Sequence, residues 1–216
     1  MSKVWGRPIE QSPFIGETDV QFAWDSTSIG WLMQCPQLYD YQMIQGWFPK
    51  GINPHLFFGL VFHSALEYYD RLRVKGVDFD EAQREMVRHA LERTGQYVET
   101  VQTDETGTPL GKKWKPWISD HSVKNRETLV RTLVWYTEQY KEDPAKTYVL
   151  ASGEAAVELS FKMEVEIIGP DGQPYLICGH LDKVVEFADD LLVQDKKTSG
   201  HQLNQRLMNE DCWAAC

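Results

Sequence analysis

Two acidic residues and a lysine stand on neighbouring segments near the end of the chain. Gly179-His-Leu-Asp182 lies in one segment of alternating apolar residues, and Asp195-Lys-Lys197-Thr198 lies in the next. Because a tight turn joins the two segments, we expect them to pair and to bring Asp182 and Asp195 together. Two carboxylates supply the hard oxygen ligands that Mg²⁺ or Mn²⁺ prefers. The pattern therefore indicates a site for a divalent cation.

Lys197 follows Asp195 by two residues, on a strand predicted from Leu191 to Lys197. Strand side chains alternate with a period of two, so Lys197 is expected on the face of Asp195 and Lys196 on the opposite face. An ammonium group beside a metal-bound water stabilises the negative charge that develops during phosphodiester hydrolysis. Alternating charges are also typical of a solvated strand face, so the surrounding elements must decide between the two interpretations.

The residues before these strands are predicted to be helical between positions 25 and 142, after an irregular segment at 1–24. Apolar residues recur there at helical spacing, and polar residues able to cap a helix precede them. The first expected helix begins at Asp25–Ser28 and is interrupted near Pro36, and the second runs from Phe58 to Val74. The third begins after Asp78, and the fourth begins at Ser119 or Asp120 and ends before Pro144. The segment from Thr103 to Pro116 is rich in Gly, Pro and Thr and is predicted to be a loop.

The pattern changes from helical to alternating over residues 154–198. Three antiparallel strands are expected, at 154–168, 175–187 and 191–197, separated by Gly169-Pro-Asp-Gly and Ala188-Asp-Asp turns. Helices followed by a strand meander indicate one α/β domain over 25–216 whose sheet is covered by the helices. The tail at 201–216 continues neither pattern.

The order of these motifs resembles the RecB-like branch of the PD-(D/E)XK nuclease superfamily, which includes exonucleases of CRISPR adaptation. Ser26 or Ser28 followed by Cys35-Pro36 and Tyr39 is similar to the opening segment of that branch. Phe58-Gly-x-x-x-His63 is similar to its helical histidine motif. The two strand motifs match its G-x-x-D and D-x-K-T sequences, and the resemblance covers residues 25–200.

This resemblance implies a restriction-endonuclease-like core, with a mixed, largely antiparallel sheet flanked by helices. It also implies three metal-binding side chains and one backbone carbonyl, supplied by His63, Asp182, Asp195 and Lys196. Lys197 would orient or activate the attacking water. Glu158 matches an acid often present in the family, where it supports the ligands without touching the metal; a solvated strand position is the alternative. For His63, the alternative is a helix histidine at the edge of an apolar stripe.

The net charge of −10 opposes nonspecific attraction of the chain to nucleic acid, so contact with DNA must depend on local features. Candidates lie in the predicted loop, where lysines alternate with aromatic rings: Lys112, Lys113, Trp114 and Lys115. The alternative is a solvated loop whose tryptophans fold back on the core. No secretory signal or membrane span is expected, which favours a cytoplasmic location with no membrane contact. Protein partners stay unidentified.

Some relatives bind an iron–sulfur cluster through an early cysteine and three near the C-terminus. Here the matching candidates are Cys35, Cys212 and Cys216, whereas Cys178 falls inside a predicted strand. A cluster of four thiolates needs four ligands, so we expect no iron–sulfur cluster and a buried structural thiol at Cys35.

The resemblance implies a Mg²⁺- or Mn²⁺-dependent DNA nuclease, exonuclease-like, in recombination, repair or phage DNA processing. A noncatalytic nucleic-acid-binding module with the same fold is the alternative. The family continues after D-x-K-T into a helix with a Gln and a Tyr, whereas residues 201–216 contain Gln202 and Gln205 but no tyrosine. This departure raises the hypothesis that truncation or an altered reading frame has left the core incomplete.

Overall fold

The computed structural model describes residues 12–51, 53–99, 106 and 112–198. Within these residues the helices are α1 (Ser26–Gln34), α2 (Pro36–Tyr39), α3 (Pro54–Val74), α4 (Phe79–Arg93) and α5 (Arg126–Gln139), with a π-helical turn at Asp40–Ile44. The strands are β1 (Ala23–Trp24), β2 (Gly95–Glu99), β3 (Lys112–Pro116), β4 (Lys146–Thr147), β5 (Val157–Ile168), β6 (Pro174–Phe187) and β7 (Asp190–Gln194). The described residues divide into two compact units, one containing 12–51 and 159–181 and the other 53–158 and 182–198.

The first unit begins with the capped helix that the sequence predicted. Asp25 Oδ1 accepts the backbone N–H of Ser28 at 2.7 Å, and Ser28 Oγ accepts the backbone N–H of Asp25 at 3.1 Å. This reciprocal capping box satisfies two donors that a helix start leaves unpaired. Pro36 is the first residue of α2, where its missing N–H costs nothing. The buried Tyr39 at the end of α2 donates its hydroxyl to Gln21 Oε1 at 2.7 Å.

The second unit contains the main hydrophobic core, which α3, α4 and α5 supply. Its buried members are Phe58, Val61, Phe62, Ala65, Leu66, Met86, Ala90, Leu129 and Leu133. Three polar residues cap these helices, since Asn53, Asp78 and Asn125 each accept backbone N–H groups of the first turn. Among the described residues, no helix combines the length and apolarity needed to cross a membrane.

Two helix starts differ from those predicted, because local hydrogen bonds select the cap. α3 begins at Pro54, four residues earlier than expected, since Asn53 Oδ1 accepts the N–H of His55 at 2.9 Å. α5 begins at Arg126 instead of Ser119 or Asp120. In the intervening residues, His121 Nδ1 accepts the N–H of Lys124 at 2.9 Å, which stabilises a turn outside the helix.

In the five-stranded sheet, β1, β4, β5 and β7 each pair with β6. β1 runs parallel to it with Ala23 opposite Leu176, whereas β4 and β7 run antiparallel to it. The predicted α/β class and mixed sheet are therefore confirmed. Ala188 and Asp189 both have positive φ, as a two-residue hairpin turn requires. β7 ends at Gln194, three residues before the predicted end of the strand.

A second, two-stranded sheet lies inside the segment predicted to be helical and in the predicted loop at 103–116. β2 and β3 pair antiparallel, with Gly95 opposite Pro116 and Tyr97 opposite Trp114. A Cβ atom on Gly95 would lie 2.1 Å from the Trp114 ring, so only glycine allows that ring to lie there. The loop prediction is wrong for Lys112–Pro116 because packing of Trp114 and strand pairing outweigh the local composition.

Leu129 tests whether the helical core stabilises the protein. Its side chain is fully buried in α5, so Leu129→Ala should lower the free energy of unfolding by about 2–5 kcal/mol through lost burial and an internal cavity. Leu60→Ala is the matched control, since Leu60 is 59% exposed on α3; its effect should stay within about 0.5 kcal/mol. Urea denaturation followed by circular dichroism measures both, and equal effects would contradict the assignment of the core.

Candidate metal centre

Three potential metal ligands converge in the second unit. His63 on α3, Glu158 at the start of β5 and Asp182 on β6 each offer one ligand atom, and these atoms all lie within 4.8 Å of one another. His63 Nδ1 is 3.2 Å from Asp182 Oδ2. All three side chains are only partly exposed, which allows access from solvent while limiting competition from water. The cluster thus joins residues that are far apart in the sequence.

Buried neighbours fix the orientation of these side chains. Phe62 and Leu66 are 4% and 2% exposed in the core, which sets the rotation of α3 and places His63 at the edge of its buried face. Val157 is likewise buried, and the next residue, Glu158, has a φ of 49° in the left-handed region. A residue other than glycine pays about 1–3 kcal/mol for such a conformation, and strained residues are frequent at functional sites.

A hydrogen bond joins His63 and Asp182. The hydrogen bond to Asp182 raises the pKa of His63, against the opposing effect of burial. Burial raises the pKa of Asp182, but hydrogen bonds from His63 and from the backbone of Lys196 outweigh it, so the pKa of Asp182 falls below its ordinary value. The carboxylate is therefore ionised, as a metal ligand must be. His63 and Asp182 would hold a divalent cation through an imidazole nitrogen and a carboxylate oxygen, so protons would compete with the cation for His63.

Asp195 and Lys197 lie in the irregular segment that follows β7. Asp195 lies close enough to Asp182 to lower the pKa of that carboxyl. Lys197 Nζ donates to Asp195 Oδ1 at 3.0 Å, and its charge lowers the pKa of His63. However, Asp195 is not one of the three mutually close ligands. Glu158, predicted to lie behind the ligands or in solvent, occupies that position.

The prediction that Lys196 faces away from this site is wrong. Its backbone N–H donates to Asp182 Oδ2 at 3.0 Å, and its side chain is 10% exposed. Lys196 also lines the same small cavity as His63, Glu158 and Asp182. The prediction assumed that the strand continues to Lys197, with side chains alternating between its two faces. Because β7 ends at Gln194, this alternation does not extend to residue 196.

A buried ionic network stands behind the candidate ligands, and sequence reasoning missed it. Asp70 on α3 accepts from Lys183 Nζ at 2.8 Å and lies 3.5 Å from Lys196 Nζ, and the Thr147 hydroxyl donates to it at 3.4 Å. Asp70 follows His63 by two helical turns, so both lie on one face of α3. An acid on an otherwise apolar helix stripe was the available sequence signal.

The donor set and the cavity both suit a single divalent cation. The cavity has a volume of about 10 Å³, close to the minimum that one water-sized sphere occupies. One imidazole nitrogen and two carboxylate oxygens form a mixed ligand set that Mn²⁺ and Mg²⁺ accept, with remaining positions open to water or phosphate. The residues present therefore fit a catalytic metal.

The aromatic and basic residues of the segment predicted to contact DNA differ in exposure. Trp114 is half-buried beneath the Arg126 guanidinium, whose carbon lies 4.9 Å from the ring centre. Trp117 packs against Phe57 in the core, with ring centres 4.7 Å apart, as the alternative interpretation predicted. Lys115 is exposed to solvent. The side chains of Lys112 and Lys113 lie outside the described part of the structure.

The cysteine prediction is corrected at one position. Cys35, expected to be buried, is exposed at the junction of α1 and α2. Cys178 is half-buried on β6, and burial raises the pKa of its thiol. Cys212 and Cys216, the other candidate cluster ligands, lie outside the described residues.

Asp70→Asn tests the buried network. The change leaves the charges of Lys183 and Lys196 without their shared partner, so the free energy of unfolding should fall by about 3–5 kcal/mol. Glu67→Gln is the control on the same helix, because its partner Arg71 is 39% exposed and surface ion pairs contribute about 0–1 kcal/mol. Urea denaturation compares the two variants. A smaller loss for Asp70→Asn than for Glu67→Gln would refute the importance of the network.

Comparison with known proteins agrees with this arrangement. The family model of the PD-(D/E)XK nuclease superfamily matches residues 26–211, which include every candidate ligand. Neither the curated proteins nor the solved structures gave a match. The family match covers most of the chain, and the α/β fold brings His63, Glu158 and Asp182 to one cavity. The chain therefore belongs to the PD-(D/E)XK nuclease superfamily.

Proposed function

We propose that this protein is a Mg²⁺- or Mn²⁺-dependent DNA nuclease of the RecB-like branch, with exonuclease-like action. The observation that supports this most directly is the convergence of His63, Glu158 and Asp182 within 4.8 Å. Lys197 lies close enough to this cluster to lower the pKa of His63. An imidazole, carboxylates and an ammonium group side by side form the set of groups that phosphodiester hydrolysis uses.

His63, Glu158 and Asp182 would hold the metal ion, and Asp195 would join them or orient Lys197. When bound, the ion polarises the phosphate and lowers the pKa of a coordinated water. The Lys196 backbone N–H donates to Asp182 Oδ2 at 3.0 Å, which holds the carboxylate in one orientation beside His63. The Lys196 carbonyl, expected from the family as a further ligand, belongs to the same short segment.

Lys197 would act on the substrate and the attacking water. Its side chain is 65% exposed and its ammonium group donates to Asp195, so it is oriented at one end yet accessible to an incoming phosphate. Moving the ammonium from Asp195 to a phosphate oxygen would stabilise the negative charge that develops there. Asp195 therefore keeps Lys197 beside the cavity until substrate arrives.

The biological setting we propose is recombination, repair or phage DNA processing. This setting rests on analogy with the RecB-like branch, because the fold alone does not define a function. Cleavage of labelled single- and double-stranded DNA, with Mg²⁺, with Mn²⁺ and with EDTA, tests the activity itself. Binding without cleavage under all conditions would instead support a noncatalytic nucleic-acid-binding module.

Lys197→Ala should separate catalysis from metal binding. Removing the ammonium deletes charge stabilisation in the transition state, so the cleavage rate should fall by about 100-fold or more. Mn²⁺ affinity should stay within a few-fold of the parent, because no ligand is removed. Nuclease rates and calorimetric Mn²⁺ titration measure the two effects.

The control for this prediction is Lys75→Ala. Lys75 is exposed just after α3 and 12 residues beyond His63 in sequence, about 18 Å along the helix, so its loss should leave cleavage unchanged. Lys196→Ala cannot serve as the control, since its side chain contacts Asp70 and lines the cavity. Normal cleavage by Lys197→Ala would exclude the proposed role.

The ligand set can be tested by comparing Glu158→Gln with Asp195→Asn. Both substitutions remove one negative charge and keep the side-chain volume. If His63, Glu158 and Asp182 hold the metal, Glu158→Gln should weaken Mn²⁺ binding by tenfold or more, as Asp182→Asn should. Asp195→Asn should weaken Mn²⁺ binding less. Calorimetry under identical buffer conditions ranks the three variants. The reverse order would assign the third ligand to Asp195.

A further inference from the structure

A second, larger depression lies in the same unit as the candidate metal centre. It is a groove of about 310 Å³ between α3, the end of α5 and β4. Leu66 and Asp70 line both this groove and the metal-site cavity, so the two are adjacent along α3. Within the described part of the chain, none of the candidate DNA contacts on β3 lines this groove.

The groove concentrates positive charge in a chain whose net charge is −10. Four cations line it, Arg73, Lys141, Lys146 and Lys183, against two acids, Asp70 and Asp143. Lys183 is paired with Asp70. The remaining three cations contact neutral groups. Arg73 donates to the Val77 carbonyl, Lys146 donates to the Asp143 carbonyl, and Lys141 lies over the Phe79 ring. Their charge is therefore available to an anion.

Aromatic side chains lie beside these cations. Tyr140 is 47% exposed in the groove. Tyr136, which also lines the groove, packs against Tyr140 with ring centres 4.8 Å apart. Burial raises the pKa of Tyr136, which keeps that hydroxyl neutral. Exposed aromatic faces next to lysines and arginines are typical of sites that bind single-stranded nucleic acid, because bases stack while phosphates meet the cations.

We propose that this groove binds one single strand of nucleic acid as it leads to or from the metal site. Phosphates would contact Arg73, Lys141 and Lys146, and a base would stack on Tyr140. His63 and Arg73 are ten residues apart on α3, about 15 Å along the helix axis, which corresponds to about four nucleotide steps of a stacked strand. The inference rests on the proposed nuclease function and extends it by naming the path and strandedness of the substrate.

The test is binding in EDTA, where no cleavage occurs. A labelled oligothymidylate of about 12 nucleotides is titrated with the parent protein and with Arg73→Gln/Lys141→Gln/Lys146→Gln at several salt concentrations, and anisotropy is read. All three side chains are exposed, so the variant should fold normally. Loss of three phosphate contacts should weaken binding about tenfold or more and reduce the slope of log K against log salt by about two.

The matched control is Lys75→Gln/Arg84→Gln/Arg93→Gln, which removes the same charge from exposed positions outside the groove. It should change neither affinity nor salt slope by a comparable amount. Tyr140→Ala should weaken binding several-fold without changing the slope, and Tyr140→Phe should restore it, since the ring and not the hydroxyl supports stacking.

Several outcomes would overturn the groove assignment. If the parent protein binds and cleaves DNA but the groove and control variants behave alike, the groove is excluded and the nuclease proposal stands. If Tyr140→Ala binds the oligothymidylate as tightly as the parent protein does, no base stacks on Tyr140 and the single-strand assignment is wrong. If the parent neither binds nor cleaves any oligonucleotide, both the groove and the proposed function fail.

Discussion

The candidate site depends on keeping the Asp182 carboxylate charged while partly buried. Burial alone favours the neutral acid, and His63 and the backbone of Lys196 reverse that preference. The two donors come from α3 and from the segment after β7, so one carboxylate connects elements that the sequence separates by more than a hundred residues. Behind it, Asp70 pairs with Lys183 and lies within ion-pair distance of Lys196. The candidate metal ligands and the buried network are therefore supported by the same helix face and strand end.

This support explains how an acidic chain can present a site for a polyanion. Carboxylates gathered around a cavity repel phosphate until a divalent cation compensates them. Lys197 adds an accessible positive charge on one side of the cavity, and the groove cations add more further along α3. Attraction of nucleic acid would then be local and would require only a few side chains.

The sequence predicted the elements that depend on periodicity and capping, including α3, α4, β5, β6 and the turn at Ala188–Asp189. The family resemblance also led us to expect His63, Asp182, Asp195 and Lys197 in one site. It failed where tertiary contacts decide. β7 ends early, which changed the interpretation of Lys196, and the positive φ at Glu158 has no local sequence signal. The β2–β3 hairpin depends on Trp114 lying over Gly95, a contact that composition cannot reveal.

The distance in sequence between His63 and Asp182 also orders events during synthesis of the chain. The buried core residues run from Phe58 to Leu133, so the helices can pack before β6 has been made. At about 5–20 residues per second, the ribosome needs about 6–24 s to progress from His63 to Asp182. The helical part of the nascent chain thus exists for seconds without the carboxylates of Glu158 and Asp182. Under the proposed function, neither metal binding nor cleavage of nucleic acid would begin until the strands that carry these two acids have been synthesised and have packed on α3.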